Sequence, residues 1–206
     1  GSAGLTFSFA NNIRVRTGAS RDMERFGGIN FFKTNYEYDG VISTRLFAVG
    51  VGRSGGDQIF FDKANPYLGY ETGWDTFLSL RVAPRWRSRI YFDTNRFVDV
   101  RHNDDPVFHV KIMRTLNTYQ FTERLLFRNI MEYNSFDRKI NLNVLFTYRV
   151  NAGTVFYAGY DDRYQQADRI GRDINGDGLD DRFFFSTDLK RTNQAIFTKL
   201  QYLFRY

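Results

Sequence analysis

Cysteine is absent from the 206 residues, which excludes disulfides, thiolate chemistry and a Cys-based zinc site. Proline is scarce: Pro66, Pro84 and Pro106 are the only three. No run of 18 apolar residues occurs, so no transmembrane helix is expected. Helical periodicity is nearly absent as well. The N-terminus has no basic flank and no apolar h-region, so the expectation is a processed form or a chain that starts inside a longer protein. Histidine is limited to His102 and His109, which leaves little material for acid–base catalysis.

Aromatic rings are abundant. Phe (22), Tyr (13) and Trp (2) bring the aromatic share to 18%. Soluble domains rarely need so many, whereas bilayer-facing sheets place them in girdles at the headgroup level. Period-two alternation recurs along the chain and predicts about ten strands. They fall near 5–17, 29–39, 41–52, 67–82, 86–101, 107–121, 125–135, 140–150, 154–164 and 193–206. In the clearest of them, Ile140, Leu142, Val144, Phe146, Tyr148 and Val150 share one face, and Asn141, Asn143, Leu145, Thr147 and Arg149 the other.

A soluble sandwich also alternates, so strand length and connection length decide. Soluble strands usually have about 5–6 residues, and a tilted membrane-crossing strand needs about 9–11. Nearly every stretch here reaches that length. Tight turns are expected at Asp39-Gly40, Ala83-Pro84-Arg85, Thr122-Glu123-Arg124 and Asn151-Ala152-Gly153. Longer links are expected near 18–28, 53–66, 102–106, 136–139 and 165–192. Strict alternation of short and long connections is the habit of outer-membrane barrels. All three prolines fall at or beside connections, where no ladder hydrogen bond is lost.

The expectation is therefore an all-β, antiparallel up-and-down transmembrane β-barrel with about ten strands, one domain over 1–206. Its place would be the bacterial outer membrane, as a passive pore or a structural scaffold and not an enzyme. Its partners would be the lipid bilayer, the barrel-assembly machinery, and other subunits or a missing N-terminal segment if this is the C-terminal part of a larger barrel. The net charge of +6 is spread singly along the strands rather than clustered, which argues against nucleic acid. On the polar face Arg14, Arg16, Arg87, Arg89, Asp93, Arg128, Glu132, Arg149 and Lys199 are expected to line the lumen. In a narrow barrel they would pair and fill it. In a wide one their positive excess would favour anions.

The sharpest local motif is Asp173-Ile174-Asn175-Gly176-Asp177-Gly178-Leu179-Asp180-Asp181. Hard oxygens recur at alternate positions, the donor type that Ca²⁺ prefers. Asp173, Asn175, Asp177, the Leu179 carbonyl and Asp181 are the candidate ligands, and a solvated acidic loop tip is the alternative. Position twelve is Phe184, not the Glu of an EF-hand. Gly52-Arg53-Ser54-Gly55-Gly56-Asp57 is glycine-rich, yet it lacks the Lys-Ser/Thr of a phosphate loop and is read as an outside loop. Two rivals remain. One is a soluble β-sandwich or lectin-like glycan-binding module, and the other is an outer-membrane hydrolase built on His102, near Asp104 and Asp105, or on His109.

The chain ends Lys199-Leu200-Gln201-Tyr202-Leu203-Phe204-Arg205-Tyr206. With Tyr202, Phe204 and Tyr206 on one face, it resembles the C-terminal assembly signal of outer-membrane barrels, which is read by strand addition. The usual signal prefers glycine where Gln201 stands. The last 95 or so residues carry a second resemblance through Thr118-Tyr119-Gln120-Phe121-Thr122, Glu132-Tyr133-Asn134-Ser135-Phe136-Asp137, Asn151-Ala152-Gly153-Thr154 and Phe197-Thr198-Lys199-Leu200-Gln201-Tyr202-Leu203-Phe204-Arg205. Together they are similar to the end of a bacterial outer-membrane family in which a carbohydrate-binding-like domain precedes a β-barrel of uncharacterised function. The resemblance implies the barrel alone and brings across no catalytic residue.

Overall fold

A computed structural model of the chain describes residues 1–9, 12–62, 64–101, 105–166, 169–172, 182–185 and 188–203. Every regular element among them is a strand. Eleven strands form one antiparallel sheet in sequence order: β1 (Ser2–Phe9), β2 (Ile13–Phe26), β3 (Ile29–Ser43), β4 (Phe47–Phe60), β5 (Tyr67–Ala83), β6 (Trp86–Asp99), β7 (Asp105–Gln120), β8 (Leu125–Asn134), β9 (Lys139–Arg149), β10 (Thr154–Gln165) and β13 (Lys190–Tyr202). The order begins at β1 and ends at β13, so the sheet is not closed. β11 (Arg169–Arg172) and β12 (Arg182–Phe185) form a separate two-stranded ladder. The chain divides into two compact units, Gly1–Met113 and Arg114–Tyr206. The all-β antiparallel architecture expected from alternation is thus present.

The strand boundaries differ from expectation at the N-terminal end. The stretch 5–17 is two strands, because Phe9 pairs directly with Ile13 across a turn at 10–12. Phe9 and Ile13 are direct partners and so share a face, the same parity that a single strand over 5–17 would give them. Asn12, at φ 59°, is the left-handed residue that lets the chain reverse. The next reversal is Gly27-Gly28, at φ 58° and 82°, which joins Phe26 to Ile29. That pair of positive φ angles is the backbone of a two-residue hairpin turn. The expected long link at 18–28 is therefore mostly strand. Asp39-Gly40 is no turn either. Asp39 pairs with Arg16 and Gly52, Gly40 with Val15 and Val51, and β3 continues to Ser43.

Strict alternation of short and long connections is lost as a result. One end of the strands has links at 10–12, 44–46, 84–85, 121–124 and 150–153. The other has 27–28, 61–66, 100–104, 135–138 and 166–189. Only the last of these is long, and it carries β11 and β12. The turns expected at Ala83-Pro84-Arg85, Thr122-Glu123-Arg124 and Asn151-Ala152-Gly153 all fall at observed reversals.

Very little of the described chain is buried. The buried hydrophobic side chains are Phe31, Ile59, Phe97 and Val98, all in the first unit. Phe97, at 1% exposure, stacks on Phe108 with centroids 5.4 Å apart and also meets Phe60 at 5.9 Å. Tyr67 completes the cluster, and the Arg101 guanidinium lies 3.4 Å from its ring centroid. Arg101 also donates to both Asp99 oxygens, and this hydrogen bonding raises its pKa above the ordinary value. The packed core thus sits beside the 61–66 and 100–104 connections, at one end of the strands.

Candidate functional site

Strand pairing sorts side chains into two faces, because successive Cβ atoms alternate. In the first unit, one row across six strands reads Phe9, Ile13, Ile42, Val49, Leu78, Ile90. The next row on that face is Phe7, Val15, Gly40, Val51, Thr76, Phe92. The third is Leu5, Thr17, Tyr38, Arg53, Trp74, Thr94. Trp86 lies on the same face, eight residues before Thr94. Many of these side chains are exposed, including Leu5, Phe7, Phe9, Ile42, Val51, Trp74, Trp86 and Phe92. An apolar side chain of this size forgoes about 1.5–3 kcal/mol by staying in water. Among the described residues, a continuous apolar face is therefore left without cover.

The spacing of this face has a length scale. Eight residues span about 27 Å along a strand, or about 21 Å along a membrane normal at a tilt near 40°. Trp86 marks one limit of that span and the Tyr38–Trp74 row marks the other. The apolar band of a transmembrane barrel is about 25 Å tall, with an aromatic girdle at each interface.

The opposite face of the first unit is polar. One row reads Thr6, Arg16, Asp39, Gly52, Asp75, Asp93, and the next Gly4, Gly18, Glu37, Ser54, Gly73, Asn95. Arg14, Arg87 and Arg89 share this face, so Arg14, Arg16, Arg87, Arg89 and Asp93 all lie on one side of the sheet. Arg16 approaches Asp39 to 4.0 Å. Toward the 27–28 turn, Lys33 sits between Glu24 at 2.5 Å and Asp22 at 3.5 Å. A groove of about 640 Å³ runs over this face, with Ser2, Gly4, Gly18, Glu37, Ser54 and Glu71 among its lining. Small side chains form most of its floor, which is why the groove is open.

The second unit has the same division. Its apolar rows are Leu125, Tyr148, Phe156, Leu200, then Phe127, Phe146, Ala158, Thr198. Farther along come Tyr133, Ile140, Tyr164 and Arg191, eight residues beyond Phe156 on β10. Ile196, at 79% exposure, and Leu200, at 66%, belong to this face, as does Tyr202. The polar face carries Arg128, Glu132, Arg149 and Lys199, together with Asn141, Asn143, Asp161 and Arg163. Arg163 pairs with Asp161 at 3.2 Å, and Glu132 lies 3.9 Å from Arg114. Leu126, Ile130, Leu145 and Phe197 also point to this side, so it is more crowded with bulky groups than its counterpart in the first unit.

One cluster has no counterpart in the expectations from sequence. Asp162, on the apolar side of β10, is 2% exposed. Its Oδ2 accepts from the Tyr160 hydroxyl at 2.6 Å and the Tyr164 hydroxyl at 2.8 Å. Arg191 Nε lies 3.2 Å from Oδ1, and its Nη2 donates to the Tyr164 hydroxyl at 2.8 Å. Gln194 extends the network to Tyr160 and Arg191. The sequence signal was Tyr160, Asp162 and Tyr164 at alternate positions, which reads as a charge within an aromatic girdle.

The remaining candidates fall as follows. Asp173, Asn175, Asp177, Leu179 and Asp181 lie outside the described residues, as do Phe204, Tyr206, His102 and Asp104. Among the described residues no three His, Asp or Glu side chains converge to hold a metal ion. His109 is on β7, with Nε2 3.0 Å from the Thr94 hydroxyl. Gly52–Asp57, expected as a loop, lies within β4. No protein-family model matches the chain, and none of the curated proteins matches it.

Proposed function

We propose that the chain is an outer-membrane β-barrel, or part of one, that acts as a passive pore for small hydrophilic solutes or as a structural scaffold. The observation that carries this reading is the exposed apolar face bounded by Trp86 at one limit and the Tyr38–Trp74 row at the other, about 21 Å apart along a membrane normal. A soluble protein would have to cover that face, and a sandwich would do so with a second sheet. The 640 Å³ polar groove supports the pore over a scaffold filled by its own side chains. For the hydrolase alternative, His109 has the Thr94 hydroxyl as its hydrogen-bond partner among the described residues, and His102 lies outside them.

In this reading the short-turn end faces the periplasm and the 166–189 connection lies outside. Hydrocarbon offers no partner to the free backbone groups of β1 and β13, so the edges must be satisfied. In an up-and-down order of eleven strands, the first and last run in the same direction. Closure then joins them as a parallel pair or admits a strand from another segment or subunit. The barrel-assembly machinery is the expected reader of β13, through strand addition.

The test is extraction of the protein from membranes with detergent, followed by gel mobility before and after boiling. Detergent dependence with a heat-dependent mobility shift is the expected result. Planar-bilayer recordings then separate a pore, which conducts, from a scaffold, which does not. Water-soluble protein with no mobility shift overturns the membrane reading.

A further inference from the structure

A second groove, of about 460 Å³, opens on the apolar face of the first unit. Its floor is the row Val15, Gly40, Val51, and Arg53 stands one row nearer the 61–66 connection. Tyr38 and Trp74, the direct cross-strand neighbours of Arg53, flank it. Gly40 is a gap between the branched side chains of Val15 and Val51. A Cβ placed there meets nothing within 4 Å, so the depression is open to the surroundings.

Arg53 is the unusual member. Its guanidinium lies 5.0 Å from the Trp74 ring centroid and has no ion pair among the described residues. A cation on an apolar face is costly unless it reaches an interface or finds an anion. Its stem can lie along the rings while the head reaches upward, and its planar fork suits the oxygens of a phosphate. The groove therefore has an apolar trough one residue wide, with a cation at the end nearer the aromatic girdle. A volume of 460 Å³ would hold only about four residues of a helix about 10 Å across. An alkyl chain is thin enough to lie along it.

We propose that this groove binds one anionic phospholipid, with an acyl chain along Val15, Gly40 and Val51 and the phosphate on Arg53. The inference rests on the membrane reading above, because only bilayer exposure brings lipid to this face. It goes beyond that reading by assigning a lipid class and a site.

The test uses the full chain in detergent micelles, offered phosphatidylglycerol and phosphatidylcholine with identical acyl chains, with bound lipid measured by native mass spectrometry. The unsubstituted protein should retain phosphatidylglycerol about fivefold more than phosphatidylcholine, the scale expected of one arginine at a lipid surface. Arg53→Gln should erase the preference, and Arg53→Lys should keep part of it. Gly40→Phe, which fills the trough, should lower retention of both lipids, and Gly40→Leu serves if the Phe variant does not fold. Equal retention of the two lipids, or an unchanged preference in Arg53→Gln, overturns the proposal. The heat-dependent mobility shift is recorded on the same samples. A protein that shows the shift without the lipid preference loses this site alone, whereas one that needs no detergent loses the membrane reading with it.

Discussion

Arg191 Nε lies 3.2 Å from Oδ1 of Asp162, across the β10–β13 pairing, and the Asp162 side chain is almost wholly enclosed while that of Arg191 is 49% exposed. The pair resolves a conflict within β10, where a carboxylate falls on the side that carries Phe156 and Tyr160. Two tyrosine hydroxyls bond Oδ2, and the Arg191 charge lies beside Oδ1, which is buried and accepts no hydrogen bond among the described residues. Arg191→Gln should therefore destabilise the fold by about 1–3 kcal/mol, the cost of leaving a buried polar group underpaired. The solvent around Arg191 keeps the loss below that of a fully buried pair. Asp162→Asn, which still accepts from the tyrosines, should cost less. Urea unfolding of the reconstituted protein followed by tryptophan fluorescence measures both, and an order in which Asp162→Asn costs more would refute this account.

Gly159 and Phe197 form a second cross-strand relationship. They are direct partners on β10 and β13, and a Cβ on Gly159 would come within 2.2 Å of the Phe197 ring. Gly159→Val should cost about 1–3 kcal/mol through overpacking. Combining it with Phe197→Ala should cost less than the sum of the single changes, since the removed ring vacates the contested space. A double-mutant cycle by equilibrium unfolding decides it, and strict additivity counts against the steric explanation.

Gly28 isolates a backbone effect. Its φ is +82° and a Cβ there meets nothing within 4 Å, so a substitution meets no steric contact. Gly28→Ala should still cost about 1–2 kcal/mol, because L-residues resist the left-handed region. A thermal or denaturant midpoint identical to that of the unsubstituted protein would mean that the hairpin adopts another turn.

The two faces of β9 give the most direct test of the membrane reading. Asn143 and Val144 are neighbours in sequence on opposite faces, and Val144 is about midway between the aromatic rows of the second unit. Val144→Arg should destabilise the inserted protein by about 2–4 kcal/mol, the cost of an arginine near the bilayer midplane. Asn143→Arg should cost much less, since the polar face already carries Arg128 and Arg163. Unfolding from lipid vesicles measures the difference, and equal costs at the two positions would sink the assignment of faces.

Where the sequence was easy to read, local chemistry and global pairing agreed. Pro84 marks a reversal, and Asn151-Ala152-Gly153 another, because each supplies the backbone that a turn demands. Arg14, Arg16, Arg87, Arg89 and Asp93 share a face for the simple reason that strand periodicity is two. Other strand boundaries depend on features that periodicity does not record. Phe9 and Ile13 are direct partners on two strands, yet they keep the parity of a single strand, and only the polar Asn11-Asn12 between them marks the boundary in the sequence. Asp39-Gly40 has turn chemistry but remains in β3, because Gly40 has ladder partners on both sides.

The amino-acid order by itself determined the strand class and the two chemically distinct faces, since a pleated strand turns every alternate residue to the same side. Only the tertiary structure decided which residues oppose one another. Arg53 between Tyr38 and Trp74, Phe197 over Gly159 and Arg191 against Asp162 all depend on register between strands. Register comes from hydrogen bonding across strands and turn geometry summed over the sheet, and no single segment contains it.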